Sequence, residues 1–184
     1  MTLKSIDESA IGSNDGSSLR AARTLTTAST RPITIVTHRI IAASPDSVWK
    51  SLCFYEDVGE KAPFLLRLLL PRPLPAASPV RTEGEETTLH YEDGHYAKRV
   101  KKLEPQRHYE FDVIDQRLAS DRGVLLLSGA YTLDELSSKK TDLAITTRYT
   151  SRIGPRWLAE PIEGVLCRRL HKHLLDAIQA QSER

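Results

Sequence analysis

Near the end of the chain, in "EGVLCRRLHKHLLDAI", stand Cys167, His171 and His173, residue types that ligate zinc or serve as nucleophile and base. Two histidines one residue apart on a helix point about 200° away from each other, so they cannot hold one ion. Helical zinc sites place their histidines at i and i+4, as in HExxH, and no histidine pair here has that spacing. No metal is expected. Cys167 is read as a packed or half-exposed thiol without a histidine beside it. His173 is expected at the edge of an apolar helix face and His171 in solvent. A second set of acid–base types, His90, Glu92, Asp93 and His95, surrounds a hairpin signal and reads as a solvated tip. No GxSxG, paired carboxylates or phosphate-cradling glycine loop accompanies them, and no cofactor is expected. Tyr91, Tyr96, Tyr131 and Tyr149 could direct hydroxyls toward a ligand oxygen. If the protein is an enzyme, Tyr96, Lys98 and Tyr149 are the residues expected to carry the reaction.

These residues need a scaffold. The chain has 184 residues, 40% hydrophobic and 27% charged, with a formal net charge of +2. That length suits one domain with its own core, and the charge is too small to imply nucleic acid. Cys53 and Cys167 have no CxxC partner, so a reducing cytoplasm is the expected setting. No apolar run of about 18 residues is present to span a membrane. Residues 1–31 are rich in Ser, Thr, Gly and Ala and are expected to form a disordered leader, with one domain over residues 32–184.

"ITIVTHRII" (33–41) predicts a strand. "SPDSVWKSL" predicts a helix over 45–52, capped by Ser44, opened by Pro45 and packing Trp49 inward. "APFLLRLLLPRPLPAASP" (62–79) predicts a helical turn over 63–70 and then an extended apolar loop, which could cover the core or dock a partner. Strands are predicted near 86–92 and 95–103 around Asp93-Gly94, then over 107–115, 123–136 and 141–153, giving an antiparallel sheet. Alternation puts Leu125, Leu127, Tyr131 and Leu133 on one face. In the second of these strands it leaves Lys98 between Tyr96 and Val100, either in solvent or pointing into the concave side. Leu158, Ile162, Val165, Leu166, Leu170, Leu174, Ala177 and Ile178 predict one apolar helix face, with a turn over 155–160 and a helix from about 161 to 181.

Those elements, with "IIAASPDSVWKSL", "GHYAKRVKKLEPQRHYEFDV" and "LSGAYTLDELSSKKTDLAITTRYTSRIGPRW…HKHLLDAI", resemble the SRPBCC superfamily, also called START-like or Bet v 1-like, and within it the bacterial polyketide cyclase/dehydrase-like proteins. The resemblance covers about residues 33–180. It implies an α+β helix-grip fold, a curved antiparallel sheet around a long C-terminal helix, with a hydrophobic cavity between them. It also implies a bulky apolar ligand such as a lipid or polyketide, held by a binder or carrier, with a cyclase or dehydrase as the alternative. The expected lining is Leu89, Tyr91, Tyr96, Lys98, Val100, Phe111, Leu127, Tyr131, Thr147 and Tyr149 from the strands. From the C-terminal segment it is Trp157, Ile162, Leu166 and Leu170. Relatives of this subgroup often carry an acidic residue where this chain has Lys98, and a cavity-facing lysine would favour an anionic ligand.

Overall fold

The computed structural model describes residues 31–52, 82–118 and 123–184. All of the predicted leader but Arg31 lies outside the described residues, as do the helical turn, loop and docking surface expected over 62–79. Within them the order is β1 (Ile33–Ile41), α1 (Pro45–Lys50), β2 (Glu86–Tyr91), β3 (Gly94–Glu104), β4 (His108–Leu118), β5 (Val124–Ser137), β6 (Lys140–Ser151) and α2 (Arg156–Ser182). The strands form one curved antiparallel sheet in the order β1-β6-β5-β4-β3-β2, with α2 packed against β1 and β6.

Local chemistry explains most boundaries. Ser44 caps α1 by accepting a hydrogen bond from the Ser47 amide, and Pro45 opens the helix. Ser47 in turn donates its hydroxyl to the Ser182 carbonyl at the far end of α2, tying the two helices together. The β2–β3 turn is shifted by one residue from its prediction. Tyr91 pairs with Gly94, so Glu92 and Asp93 make the turn and Gly94 opens β3. Glycine is required there because a Cβ would lie 1.9 Å from the Arg117 carbonyl oxygen of β4.

The register aligns rows of side chains across the sheet. Ile35, Thr147, Gly129, Phe111 and Val100 form one row, and Thr37, Ile145, Tyr131, Tyr109 and Leu103 the next. The core lies on this face, where Leu174, Leu175 and Ile178 of α2 meet Tyr109, Phe111, Tyr131 and Ile145. Four register shifts interrupt the simple alternation, at Ala97/Lys98, Val100/Lys102, Leu126/Ser128 and Glu135/Ser137. On β3, Lys101 is passed over between Val100 and Lys102, which keeps Val100 and Leu103 on the same side. On β5, Leu126 pairs with Tyr149 and Ser128 with Arg148, so Leu127 has no partner on β6. The extra residue reverses the phase: Leu126 joins the inner row, Leu125 falls opposite Thr150 on the other side, and half-buried Leu127 lies outside the alternation.

α2 also departs from its prediction. It begins at Arg156, five residues early, and contains Pro161. Proline at this early second-turn position gives up the one backbone bond to the Trp157 carbonyl, and its ring is exposed. Most large apolar side chains of the N-terminal half do not face the sheet. Trp157, Leu158, Ile162 and Val165 are 78%, 48%, 60% and 52% exposed, and the buried apolar stripe begins further along, with Leu174, Leu175 and Ile178. Trp157→Ser combined with Ile162→Ser is therefore expected to change unfolding free energy by no more than about 0.5 kcal/mol. A urea titration showing a loss above about 2 kcal/mol would place these side chains in a core instead.

Candidate functional site

The side of α2 that faces β6 in its N-terminal half is polar. Glu163, Cys167 and His171 recur every four residues, and Thr147, Tyr149 and Ser151 recur every two on the inward face of β6. Four residues of helix rise about 6.0 Å and two residues of strand about 6.8 Å, so the two series stay in step when the helix runs back along the strand. Both ends of the match are hydrogen-bonded. Ser151 donates its hydroxyl to Glu163 Oε1 at 2.6 Å, and the Thr147 hydroxyl lies 2.8 Å from His171 Nε2. Tyr149 and Cys167 are opposed between them.

His171 was expected in solvent and is 1% exposed. Its Nδ1 bonds the Thr37 hydroxyl of β1 at 2.9 Å, so the ring is clamped between two strands. Burial, then the Arg168 guanidinium, push its pKa down to about 4, and the imidazole is neutral. One ring nitrogen then donates and the other accepts, and the two threonine hydroxyls take the complementary roles. Cys167 corrects its reading as well. It has a histidine one helical turn away, with Sγ 3.6 Å from His171 Nε2. Burial pushes the thiol up to about 11, against the opposing influence of the Thr147 hydrogen bond and Arg168, so this pair is not an activated nucleophile.

The other end of the seam is less complete. The Tyr149 hydroxyl and Glu163 Oε2 are both buried without a hydrogen-bond partner. Tyr149 is 4% exposed, and burial first, then the negative charge of Glu163, push its phenol up to about 12. The Ser151 hydroxyl has no proton for Glu163 Oε2, because it donates to Oε1; it also accepts from the Ile153 amide at 3.2 Å. Orphaned buried polar atoms are rare, since each forfeits its solvation.

The remaining predicted residues divide clearly. Leu89, Tyr91, Val100, Phe111 and Tyr131 are buried on the inner face, and Thr147 is half-buried there. Tyr91 and Tyr96 stack at 5.5 Å between ring centroids. Lys98 points inward: it is 4% exposed and its Nζ lies 5.4 Å from the centre of the Phe111 ring. Leu170 packs against the core and Leu166 is half-buried. Trp157 and Ile162 are exposed and do not stand between sheet and helix. Glu163, Cys167 and His171 were missed; their signal was a polar period of four on the helix matching a polar period of two on β6. Among the described residues, no group of three or more His, Cys, Asp or Glu could hold a metal ion, and no helix is long and apolar enough to cross a membrane.

Neither a protein-family model nor a curated protein matches the sequence. Solved structures do match the fold. The Zhui aromatase/cyclase from Streptomyces sp. R1128 is 17% identical with a TM-score of 0.58, over 83% of this chain and 94% of that one. A START superfamily protein from Mycobacterium smegmatis is 12% identical with a TM-score of 0.57, over 82% and 97%. Norcoclaurine synthase from Thalictrum flavum, in complex with dopamine and hydroxybenzaldehyde, is 16% identical with a TM-score of 0.54, over 97% and 95%. The chain has the SRPBCC, or Bet v 1-like, helix-grip fold.

Proposed function

We propose that the protein binds a bulky, largely apolar small molecule against the inner face of its sheet, as a carrier or receptor. One observation carries this reading: a lysine stands where a closed core would have an aliphatic side chain. Lys98 lies between Tyr96 and Val100 on β3, 4% exposed, with its ammonium near the Phe111 ring. Withdrawing a charge from water costs several kcal/mol. A ligand site uses a few polar groups to orient what its apolar walls hold. The norcoclaurine synthase of the same fold was solved with two ring-containing molecules, which supports an aromatic or fused-ring ligand here.

The protonation states along the seam support binding over catalysis. Tyr149, Cys167 and His171 are each pushed toward the neutral form, away from the range in which acid–base groups exchange protons near neutral pH. The likeness to an aromatase/cyclase keeps an enzyme as the second reading, with Tyr96, Lys98 and Tyr149 as the groups that would meet its substrate.

Native mass spectrometry of the freshly purified full chain, against a denatured control, is expected to reveal a noncovalently retained apolar compound. Lys98→Met should lower that retention while the thermal midpoint holds or rises. If the parent retains nothing and takes up no anilinonaphthalene sulfonate saturably, the binding reading fails.

A further inference from the structure

The polar groups of the α2–β6 seam fall into a saturated half and an open half. His171 has both ring nitrogens engaged, by Thr37 and Thr147, and Cys167 packs against it; these account for themselves as structure. Tyr149 and Glu163 do not. The phenol hydroxyl is a free donor on a side chain 96% withdrawn from solvent, and Glu163 Oε2 is a free acceptor whose sister oxygen is anchored by Ser151. Glu163 is within electrostatic reach of Tyr149, yet the two are not bonded to each other.

We propose that Tyr149 and Glu163 form the polar end of the ligand site and take a hydroxyl group, phenolic or alcoholic, that accepts from Tyr149 Oη and donates to Glu163 Oε2. The assignment rests on the binding reading above and narrows it to hydroxylated apolar molecules. The chemistry of the two groups selects the partner. A ketone would satisfy the tyrosine and leave Glu163 without a donor. An ammonium would satisfy Glu163 and leave the tyrosine proton unused, and a carboxylate would be repelled by Glu163. A hydroxyl is the small group that donates and accepts through one oxygen, and the donated bond is charge-assisted.

Two fluorescent probes of one skeleton, 2-naphthol and naphthalene, test this on the full-length protein by equilibrium titration. Naphthol is expected to bind about tenfold or more tighter than naphthalene. Tyr149→Phe and Glu163→Gln should each remove most of that preference, read within each variant as the ratio of its naphthol to its naphthalene affinity. Equal binding of both probes, or a preference that survives both substitutions, overturns the assignment and leaves the apolar site standing; the orphan atoms then hold buried water. Binding of neither probe overturns both readings. Thermal melting of the ligand-free protein gives an independent measurement: Tyr149→Phe deletes an unpaired buried hydroxyl and should melt at the same temperature or higher. A lowered midpoint would mean that the hydroxyl already has a partner, against the proposal.

Discussion

Lowering the pH from about 7.5 to about 4.5 is expected to remove roughly 2–3 kcal/mol of stability through His171 alone, a loss that His171→Gln abolishes. The sign follows from the clamp. In the unfolded chain the imidazole titrates near 6.5, but between the two threonines its pKa is held at about 4, by burial first and by Arg168 second. Below 6.5 the unfolded state takes up a proton that the folded state refuses, so protons drive unfolding. Stability is fully present above 6.5, declines through the window down to about 4, and declines no further beneath it. Carboxylates also lose stability as pH falls, among them Glu110, which Lys101 holds below the usual range. Those contributions are common to parent and variant and cancel in the difference. Urea unfolding of both proteins at the two pH values reads that difference directly. Parallel losses in parent and His171→Gln would mean that the imidazole is solvated, and the clamp would be wrong.

The contrast between His171 and its sequence reading marks where the sequence was legible. Strands announced themselves by β-branched residues and turn chemistry, and α1 by Ser44 and Pro45, because those signals are local and each carries its own cause. The inward placement of Tyr131 and Leu133 was legible for the same reason: alternation needs only the strand. The rotation of α2 was not. Counting apolar residues sets a helix phase by majority, and Leu158, Ile162 and Val165 outvoted the polar series. Their face is exposed, and Glu163, Cys167 and His171 face the sheet instead. What selects that rotation is a strand whose inward positions are themselves polar, a fact about two elements together. The passing over of Leu127 has no mark in the sequence at all, yet it decides that Leu126 and not Leu125 joins the inner row.

Gly129→Ala is expected to cost about 2–3 kcal/mol in the parent protein and close to nothing once Phe111 is also replaced by Ala. Gly129 sits opposite Phe111 in the inner row, and a Cβ there would lie 2.5 Å from the ring's Cζ and 2.7 Å from Cε1. No methyl fits at that distance, so the ring must turn. It has little freedom to do so: Phe111 is 7% exposed, packs tilted at 50° against Tyr109 with centroids 6.0 Å apart, and has the Lys98 Nζ 5.4 Å from its ring centre. Phe111→Ala alone should cost about 3–5 kcal/mol through the cavity it leaves, and the added methyl then enters empty space. A double-mutant cycle by chemical denaturation measures the coupling. Strict additivity would mean that the ring does not lie over the glycine. The same displacement bears on the ligand site, because a turned ring leaves Lys98 without the aromatic face beneath its charge, an interaction of about 0.5–2 kcal/mol. Gly129→Ala should therefore weaken ligand retention more than a remote substitution of equal destabilisation does. Glycine at this position leaves room for the ring over which the Lys98 amine lies.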